Sequence, residues 1–329
     1  LRCNQVCTYC HASTKPMNMK EYDMTKETAK KTVDFIFQSP SHEIAIEFQG
    51  GDSLINFPIL KYMTEYAYQK NKIHKKDLRL TMVSNLTLLT DEILDFLVKN
   101  KIGICTSLDG PKEVHDKIRK YRKSESETPG TYDDVVKSLN KIRQKDSNDS
   151  DYKSIPNALL VVTKYSLGKS KEIIDEYVKQ GFDSIFFRNL SKLGFANNSW
   201  EDLSYETEDF LEFYKKGIEY IVKNKLPIRE VLTTIILKKI LTKFDPGYTD
   251  LRSPCGAVIG QVAYNHDGSI YTCDEGRMIG DIFKVGTVDN TYKEVLTSSQ
   301  TCSVVKASEN DNYMCNTCAY KPYCGVCPA

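Results

Sequence analysis

The segment EIAIEFQGGD, residues 43–52, has the pattern of a short β-strand that ends in a glycine turn. A helical pattern at 25–38 precedes it. Four further pairs of a helix and a strand follow, at 58–69 with 78–83, 91–100 with 102–108, 132–144 with 155–163, and 170–180 with 184–188. These repeats predict an α/β fold with a parallel sheet, in which the loops after the strands hold the active site.

The length and the charge balance narrow the class of protein. The chain has 329 residues, which at ~150 residues per domain predicts about two folding units and excludes a miniature disulfide scaffold. Lys and Arg number 45 and Asp and Glu number 44, so we expect neither nucleic acid nor an anionic membrane as a partner. No apolar run reaches the ~18 residues of a membrane span.

Eleven cysteines are the most informative residues, because most of them cluster at the two ends of the chain. Cys3, Cys7 and Cys10 have the spacing C-x-x-x-C-x-x-C. Three close thiolates can hold three irons of a [4Fe–4S] cube and leave the fourth iron open for a chelating ligand. The alternatives are part of a zinc site or three unrelated reduced cysteines. No signal-peptide pattern precedes the cysteines, so we expect a cytoplasmic protein with reduced thiols.

The first cysteine loop, with the aromatic Tyr9 before its last cysteine, resembles that of the radical S-adenosylmethionine (SAM) enzymes. The resemblance implies a partial (β/α)6, TIM-like barrel and a [4Fe–4S] cluster on Cys3, Cys7 and Cys10 whose open iron is chelated by SAM. A barrel of this family has a strand before the cysteine loop. We therefore expect that the sequence is trimmed at its start.

Residues after three predicted strands would line the SAM pocket by the same resemblance. Asp52, in a Gly-Gly-Asp segment that is similar to the family's Gly-Gly-Glu, is shorter than glutamate, so contact with the methionine amine is expected to shift to the carbonyls of Gly50 and Gly51. Turns and helix caps also favour these residue types. The expected SAM contacts are Tyr9, Gly50, Gly51, Asp52, Ser84, Asn85, Ser107 and Asp109.

The run from Ser107 to Arg119 is similar to that of anaerobic sulfatase-maturating enzymes and related peptide-modifying members of the family. It includes His115, a candidate catalytic base. The alternative is a histidine that caps a helix or pairs with a neighbouring group. Cys105, inside a predicted strand, is expected to act as a small buried hydrophobic residue.

The cysteines of the last 75 residues resemble a SPASM domain, which holds auxiliary iron–sulfur clusters in part of the radical SAM family. Cys255 and Cys273, with Gly268 between them, resemble its opening half, and two C-x-x-C units resemble its closing half. By this resemblance, Cys255, Cys273 and Cys327 would bind auxiliary cluster I, and Cys315, Cys318 and Cys324 auxiliary cluster II. A zinc ribbon is the alternative, because paired C-x-x-C units commonly bind zinc.

Each auxiliary set is one thiolate short. Cys302 or an open iron would complete cluster I. The family supplies the fourth ligand of cluster II downstream, beyond Ala329, so we expect that the sequence is trimmed at this end too. The last gap, between Cys324 and Cys327, has two residues where the family usually has three.

Asp274 follows Cys273 directly, and this pair resembles the position at which sulfatase-maturating enzymes keep the base for the substrate side chain. Partial desolvation near an all-thiolate cluster would raise the pKa of such a carboxyl and suit it to accept a proton. A turn residue, or an ion-pair partner for Arg277, is the alternative.

The remaining sequence suggests three functional parts. We expect the radical SAM barrel at 1–200, bridging helices at 201–254 and the loop-rich SPASM domain at 255–329. The bridging helices are predicted at 205–223 and 229–244, the second with apolar core positions, and a β-hairpin is predicted at 258–272. Polar stretches at 123–130 and 146–153 are predicted to be loops.

The motifs together resemble radical SAM/SPASM peptide maturases, particularly those of the His-Xaa-Ser system. The resemblance implies that a reductant such as flavodoxin or ferredoxin supplies an electron, that SAM yields a 5′-deoxyadenosyl radical, and that this radical abstracts hydrogen from a ribosomally made precursor peptide. The product would be an intrapeptide cross-link. The alternatives are oxidation of a sulfatase side chain to formylglycine and, in another class, a zinc-binding interaction module.

We predict that the protein reconstituted under anaerobic conditions contains about twelve irons, four for each of three [4Fe–4S] clusters. Metal analysis by mass spectrometry, together with absorption near ~400 nm from thiolate-to-iron charge transfer, measures this. Zinc without iron in the tail would contradict the auxiliary clusters.

Overall fold

The computed structural model describes residues 1–122, 130–146, 156–243, 247–308, 313–325 and 327–329. The two polar stretches predicted as loops lie outside these residues, except at Gly130 and at Asp146, which ends a helix. No helix among the described residues is long and apolar enough to span a membrane.

Six parallel strands form the main sheet, and each strand pairs with its neighbours in chain order. This order is that of a barrel rather than of a doubly wound sheet, whose strand order reverses at its centre. The predicted α/β fold is therefore confirmed. The strands are β1 Glu43–Phe48, β2 Asp77–Val83, β3 Gly103–Ser107, β4 Asn157–Val161, β5 Ser184–Arg188 and β6 Arg229–Glu230.

The sixth strand differs from the prediction, which placed residue 229 at the start of a helix. The Arg229 N–H donates to the Asp183 carbonyl at 3.0 Å, and the Glu230 carboxylate accepts from the Phe187 N–H at 3.2 Å. Pairing with β5 thus holds two polar residues in an extended conformation. Two residues are too few to show a periodicity, so this strand could not be predicted from hydrophobic spacing. The strand expected before Cys3 stays a prediction.

Helices connect the strands, and most of them begin and end within a few residues of the predicted positions. Thr25 and Thr90 accept from backbone N–H groups in the first turns of their helices and so fix where these begin. The bounds of the short helix that includes His115 were not predicted. The helices of this part are α1 Lys26–Ile36, α2 Phe57–His74, α3 Asp91–Lys99, α4 Lys112–Ile118, α5 Tyr132–Asp146, α6 Ser170–Lys179, α7 Trp200–Leu203, α8 Thr207–Asn224 and α9 Val231–Leu241.

The apolar positions of α9 are not core, contrary to the prediction. None of its residues is buried, and Leu237, Ile240 and Leu241 are exposed. The apolar residues of this helix are spread around its circumference, so their spacing could not show which side, if any, would be covered.

The two faces of the main sheet differ in burial. Along β1, Ile44, Ile46 and Phe48 are buried, whereas Glu43 and Glu47 on the opposite face are exposed. The same alternation continues through β2 and β3. The sheet is therefore buried on one face, and its more open face carries charged side chains at β1 and β2 and half-buried apolar side chains such as Val161 and Phe186 further along.

Among the described residues from 247 onward, the chain forms a small antiparallel sheet and four short α-helices. The predicted hairpin is present as β7 Ala263–Tyr264 and β8 Ser269–Tyr271, and β9 Lys284–Thr287 adds a strand that was not predicted. The helices of this region are α10 Asp274–Ile279, α11 Tyr292–Leu296, α12 Ser299–Ser308 and α13 Tyr313–Asn316.

The chain divides into two compact units. The first comprises Leu1–Tyr22, His42–Thr64 and Lys76–Leu232, and it contains the main sheet. The second comprises Asp23–Ser41, Glu65–Lys75 and Thr233–Ala329, so helix α1 belongs with the small sheet. The three functional parts expected from the sequence were defined by motifs, whereas the two compact units are defined by contacts. The three-part division therefore stays a prediction.

Phe35 of α1 lies at the centre of the apolar core of the second unit. Its ring centroid is 6.0 Å from that of Tyr264 and 5.7 Å from that of Tyr292. It packs in a cluster with the buried residues Val258, Ile270, Val285 and Val295. Helix α1 therefore supplies the aromatic side chain around which the small sheet closes.

We predict that Phe35→Ala destabilises the second unit by about 3–5 kcal/mol, because it removes a buried aromatic ring and leaves a cavity. Amide hydrogen exchange at Ile270 and Val285 should accelerate by at least ~100-fold. The matched control is Leu211→Ala, on the exposed face of α8. Unchanged exchange in the small sheet would show that α1 does not hold it.

Candidate metal and cofactor site

The first cysteine loop is anchored by backbone hydrogen bonds on both sides. The Cys3 N–H donates to the Lys15 carbonyl at 2.9 Å, and the Thr8 N–H donates to the Ile118 carbonyl at 3.1 Å. The Cys10 N–H donates to the Cys7 carbonyl at 3.1 Å and closes a turn between these two cysteines. The loop thus has a defined conformation in which Cys3 and Cys7 are buried and Cys10 is half-buried.

The surroundings of these thiols fit a bound iron–sulfur cluster. Burial raises the pKa of the Cys3 and Cys7 thiols to about 12, so an isolated thiolate would be unstable there and requires a compensating cation such as iron. The Gln5 N–H lies 3.4 Å and Asn85 Nδ2 3.8 Å from the Cys3 sulfur. Such N–H donors stabilise the sulfur charge of cluster ligands.

The Gly-Gly-Asp segment lies against the start of the chain, beside the cysteine loop. A Cβ atom on Gly51 would stand 2.2 Å from the Arg2 carbonyl oxygen, so only glycine fits there. The Asp52 N–H donates to the same carbonyl at 2.9 Å. The predicted glycine turn therefore brings the end of β1 to within one residue of Cys3.

The Asp52 carboxylate joins the loop after β1 to the loop after β2. It accepts from the Asn85 N–H at 2.8 Å, from the Ser84 hydroxyl at 3.0 Å and from the Leu54 N–H at 3.0 Å. Burial raises the pKa of this carboxyl. Asp52, Ser84 and Asn85 thus converge beside Cys3, and both carboxylate oxygens of Asp52 accept from protein donors; their contact with SAM stays a prediction.

Tyr9 and Asp109 lie on the Cys7 side of the loop, in a buried polar cluster. The Tyr9 hydroxyl donates to the Asp109 carboxylate at 2.9 Å, and the Val161 N–H donates to it at 3.3 Å. Arg119 Nε also donates to Asp109, at 2.7 Å. The sequence analysis assigned no role to Arg119. The only sequence signal for this ion pair was that Arg119 follows the acidic residue Asp109 by ten positions.

Ser107 ends β3 and is half-buried. Its hydroxyl makes no hydrogen bond within the described part of the chain. Among the side chains predicted to contact SAM, Ser107 is therefore the one whose polar group is left available for a ligand within the described residues.

His115 is buried, and both of its ring nitrogens have partners. The Asp109 N–H donates to Nδ1 at 3.3 Å, and Nε2 lies 3.0 Å from the Thr131 hydroxyl. Burial lowers the pKa of this imidazole to about 4, so it is neutral near pH 7. This geometry matches the alternative interpretation of His115, a histidine that pairs with its neighbours.

Gly194 is a second glycine that the site requires and that sequence reasoning missed. It lies in the loop after β5 with φ +58°, and a Cβ there would stand 2.5 Å from the Cys10 carbonyl oxygen. The Phe195 N–H donates to that carbonyl at 2.9 Å. A glycine far away in sequence thus allows the loop after β5 to pack on the cysteine loop.

In the tail, two of the three cysteines that were assigned to auxiliary cluster I are packed together, whereas the third, Cys327, is exposed. Cys255 and Cys273 are buried neighbours in one cluster. Burial raises the pKa of both thiols, and the nearby charges of Cys327 and Glu275 add to this effect at each of them. Cys302 is exposed on α12.

The other tail cysteines are less enclosed. The Cys318 N–H donates to the Cys315 carbonyl at 3.2 Å, and Cys318 and Cys324 are exposed. A cavity of about 920 Å³ is lined by both Cys255 and Cys318. Within the described residues, no three His, Cys, Asp or Glu side chains are arranged to hold a single metal ion. A cube binds each thiolate to a different iron, so its ligands need not converge on one point.

Asp274 has an ion-pair partner. Its Oδ1 accepts from Arg277 Nη2 at 2.7 Å, which is the alternative that the sequence left open. Helix α10 starts directly after Cys273, whose sulfur accepts from the Gly276 N–H at 3.2 Å. The acid whose charge acts on both Cys255 and Cys273 is the next residue, Glu275, which sequence reasoning did not select.

The barrel order of the strands, with a three-cysteine loop at their carboxyl ends, defines a radical SAM fold. The family model of the Radical SAM superfamily matches residues 1–175. The chain therefore belongs to the Radical SAM superfamily, whose members use a [4Fe–4S] cluster and SAM.

Three comparisons extend this likeness beyond the barrel. The cysteine-type anaerobic sulfatase-maturating enzyme of Clostridium perfringens strain 13 is 24% identical over 98% of this chain and 84% of its own length. The solved structure of native anSMEcpe with bound AdoMet and Kp18Cys peptide has a TM-score of 0.77 at 22% identity, over 98% of this chain and 86% of that one. The solved structure of Streptococcus suis SuiB bound to precursor peptide SuiA has a TM-score of 0.66 at 15% identity, over 98% of this chain and 68% of that one.

We predict that His115 makes the protein sensitive to acid. Its pKa is about 4 in the folded chain and about 6.5 when unfolded, so between these values only the unfolded chain binds the proton. Stability is therefore retained above pH 6.5 and lost as the pH falls toward 4, by up to ~3 kcal/mol. Denaturant unfolding from pH 7 to 4.5 measures this.

The variant His115→Asn should have a flatter stability profile over this pH range than the wild type. The control is His42→Asn, because His42 is exposed. Equal slopes for wild type and His115→Asn would show that His115 takes up its proton in the folded state.

Proposed function

We propose that this radical SAM enzyme modifies a peptide and forms an intrapeptide cross-link in a ribosomally made precursor. The observation that carries the proposal is the second cysteine set. Cys255 and Cys273 are buried neighbours beyond the matched radical SAM region, and the charge of Cys327 acts on both thiols, which supports an auxiliary cluster there. A barrel that only cleaved SAM would not need them.

Two kinds of observation support a peptide as the substrate. The solved structures of anSMEcpe and SuiB, which share the fold, contain a bound peptide and a bound precursor peptide. In this chain, the open face of the main sheet carries exposed polar side chains, among them Glu47 on β1 and Arg79 on β2. A polar surface of this kind suits an extended chain with its own unpaired amide groups.

The residues of the barrel would hold and orient the cofactors. Cys3, Cys7 and Cys10 would hold the cluster, and the Ser107 hydroxyl is available for SAM. When bound, the reduced cluster and SAM together supply a carbon-centred radical that abstracts a hydrogen atom. Asp52 and Asp109 keep the loops in place, and the surrounding protein excludes water from the radical.

The tail would hold the electron acceptor. A peptide that has lost one hydrogen atom has an unpaired electron. When the radical carbon bonds to a second side-chain atom, that atom's bond to hydrogen breaks, and one proton and one electron leave. Cys255, Cys273 and Cys327 would hold auxiliary cluster I, whose chemistry would be to take up this electron, and Cys315, Cys318 and Cys324 would hold auxiliary cluster II. Electrons would enter from a flavodoxin or ferredoxin in the cytoplasm.

Formylglycine formation is the second candidate, and it is favoured by a specific observation. The likeness to the sulfatase-maturating enzyme extends over 98% of this chain, and the Cys273-Asp274 pair resembles the position of that family's base. In that reaction a base takes the proton of a side-chain thiol or hydroxyl. The ion pair of Asp274 with Arg277 weakens a carboxylate as a base, because it stabilises the ionised form.

The product distinguishes the two candidates. The reduced, reconstituted enzyme is incubated with SAM and either a sulfatase-type peptide or a peptide encoded beside the gene. A cross-link removes two hydrogens, blocks fragmentation between the joined residues and leaves no aldehyde. Formylglycine reacts with a hydrazide probe. We expect a cross-link in the encoded peptide, and an aldehyde product would establish the second candidate instead.

The same reaction tests Asp274. If Asp274 is the substrate base, Asp274→Asn retains 5′-deoxyadenosine formation but lowers modified peptide by ~100-fold or more. The comparison variant is Arg277→Gln, and Asp281→Asn on the exposed surface is the control. Equal losses of iron and solubility in Asp274→Asn and Arg277→Gln would show that the pair is structural.

A further inference from the structure

Arg119, at the end of α4, places a guanidinium group beside the first cysteine loop. Its side chain is 10% exposed, and that of its partner Asp109 is 0% exposed. Arg119 Nη1 lies 3.6 Å from the Cys7 sulfur, and Nη2 contacts the Tyr9 hydroxyl. The guanidinium carbon is 5.2 Å from the centroid of the Tyr9 ring. One buried cation therefore joins a carboxylate, a phenol and a cysteine of the cluster loop.

Stability alone does not explain this arrangement. Burying an ion pair costs about as much in desolvation as the attraction returns, and apolar side chains of the same volume often fold as well. Asp109 also accepts from the Tyr9 hydroxyl and the Val161 N–H. The contact of Arg119 with Cys7 is therefore not needed to satisfy Asp109.

The sign of the effect on a cluster follows from charge. A [4Fe–4S] cluster gains one negative charge when a one-electron donor reduces it, so a nearby cation favours the reduced state. A hydrogen bond to a ligand sulfur acts in the same direction. Asp109, which accepts from Arg119 Nε, has the opposite charge and opposes this effect.

We propose that Arg119 is a positioning residue that raises the reduction potential of the SAM-binding cluster through Cys7, and that Asp109 limits this effect by compensating part of its charge. The proposal rests on membership of the Radical SAM superfamily and does not depend on the peptide substrate. Arg119 thus determines how strong a reductant the enzyme needs.

The test is an anaerobic potentiometric titration with dithionite, followed by electron paramagnetic resonance on the reconstituted full chain. The signal of the SAM-binding cluster is identified by its absence from Cys10→Ala. Arg119→Gln should shift the reduction equilibrium about tenfold toward the oxidised state, which is ~59 mV for one electron. Asp109→Asn should shift it in the opposite direction, and Arg119→Lys should restore most of the wild-type potential.

The matched control is Arg122→Gln. Arg122 is also near the cysteine loop, but its Nη2 donates to the Thr14 carbonyl and hydroxyl, both at 2.8 Å, rather than to a sulfur. This variant should shift the potential less than Arg119→Gln does.

Equal potentials in wild type, Arg119→Gln and Asp109→Asn would overturn the proposal, and so would a shift of both variants in the same direction. If Arg119→Gln binds no iron, Asp109→Asn decides alone, and an unchanged or lowered potential in that variant refutes the role. Loss of peptide modification with unchanged potentials would instead concern the substrate and leave Arg119 without an electrostatic role.

Discussion

The geometry of the site depends on the hydrogen bonds that the Asp52 carboxylate accepts. It lies directly after the glycines that end the first strand, and its hydrogen bonds to Ser84, Asn85 and Leu54 hold two strand-end loops together. Asn85 then reaches the sulfur of Cys3. Without this carboxylate, the backbone N–H of Asn85 and the Ser84 hydroxyl would lose a buried acceptor, which costs about 1–3 kcal/mol for each group.

On the other side of the cysteine loop, the Asp109 carboxylate holds Tyr9, Arg119 and the backbone of Val161 together by hydrogen bonds. Both acids follow barrel strands, where ligands usually bind, but both are buried and their carboxylates accept hydrogen bonds from groups of the protein itself. Their oxygens hold the groups that surround Cys3 and Cys7. A cluster bound by a short loop needs such support, because an unsupported loop would let each ligand find its own orientation. Acids at strand ends can therefore serve the cofactor site without contacting the cofactor.

The sequence predicted those helices and strands that have a clear periodic spacing of apolar residues. β1 and β5 were predicted to the residue, because each has a run of β-branched or aromatic side chains between turn signals. β6 has only two residues, and α9 is apolar on all sides, so neither element has a pattern that reveals its pairing or burial. The cysteine motifs identified the site, but the partners of Arg119, His115 and Asp274 depend on contacts between segments, which spacing does not encode.

The two cysteine sets differ in how far the polypeptide prepares them for metal. Cys3 and Cys7 are buried, and N–H groups point at their sulfurs. In the tail, Cys255 and Cys273 are enclosed, whereas Cys318, Cys324 and Cys327 are exposed. Ligands that are not preorganised gain their order from the metal, so binding free energy there is folding free energy. The barrel site thus depends on hydrogen bonds that the chain makes by itself, whereas the exposed tail cysteines would take their final positions from the clusters that we propose they bind.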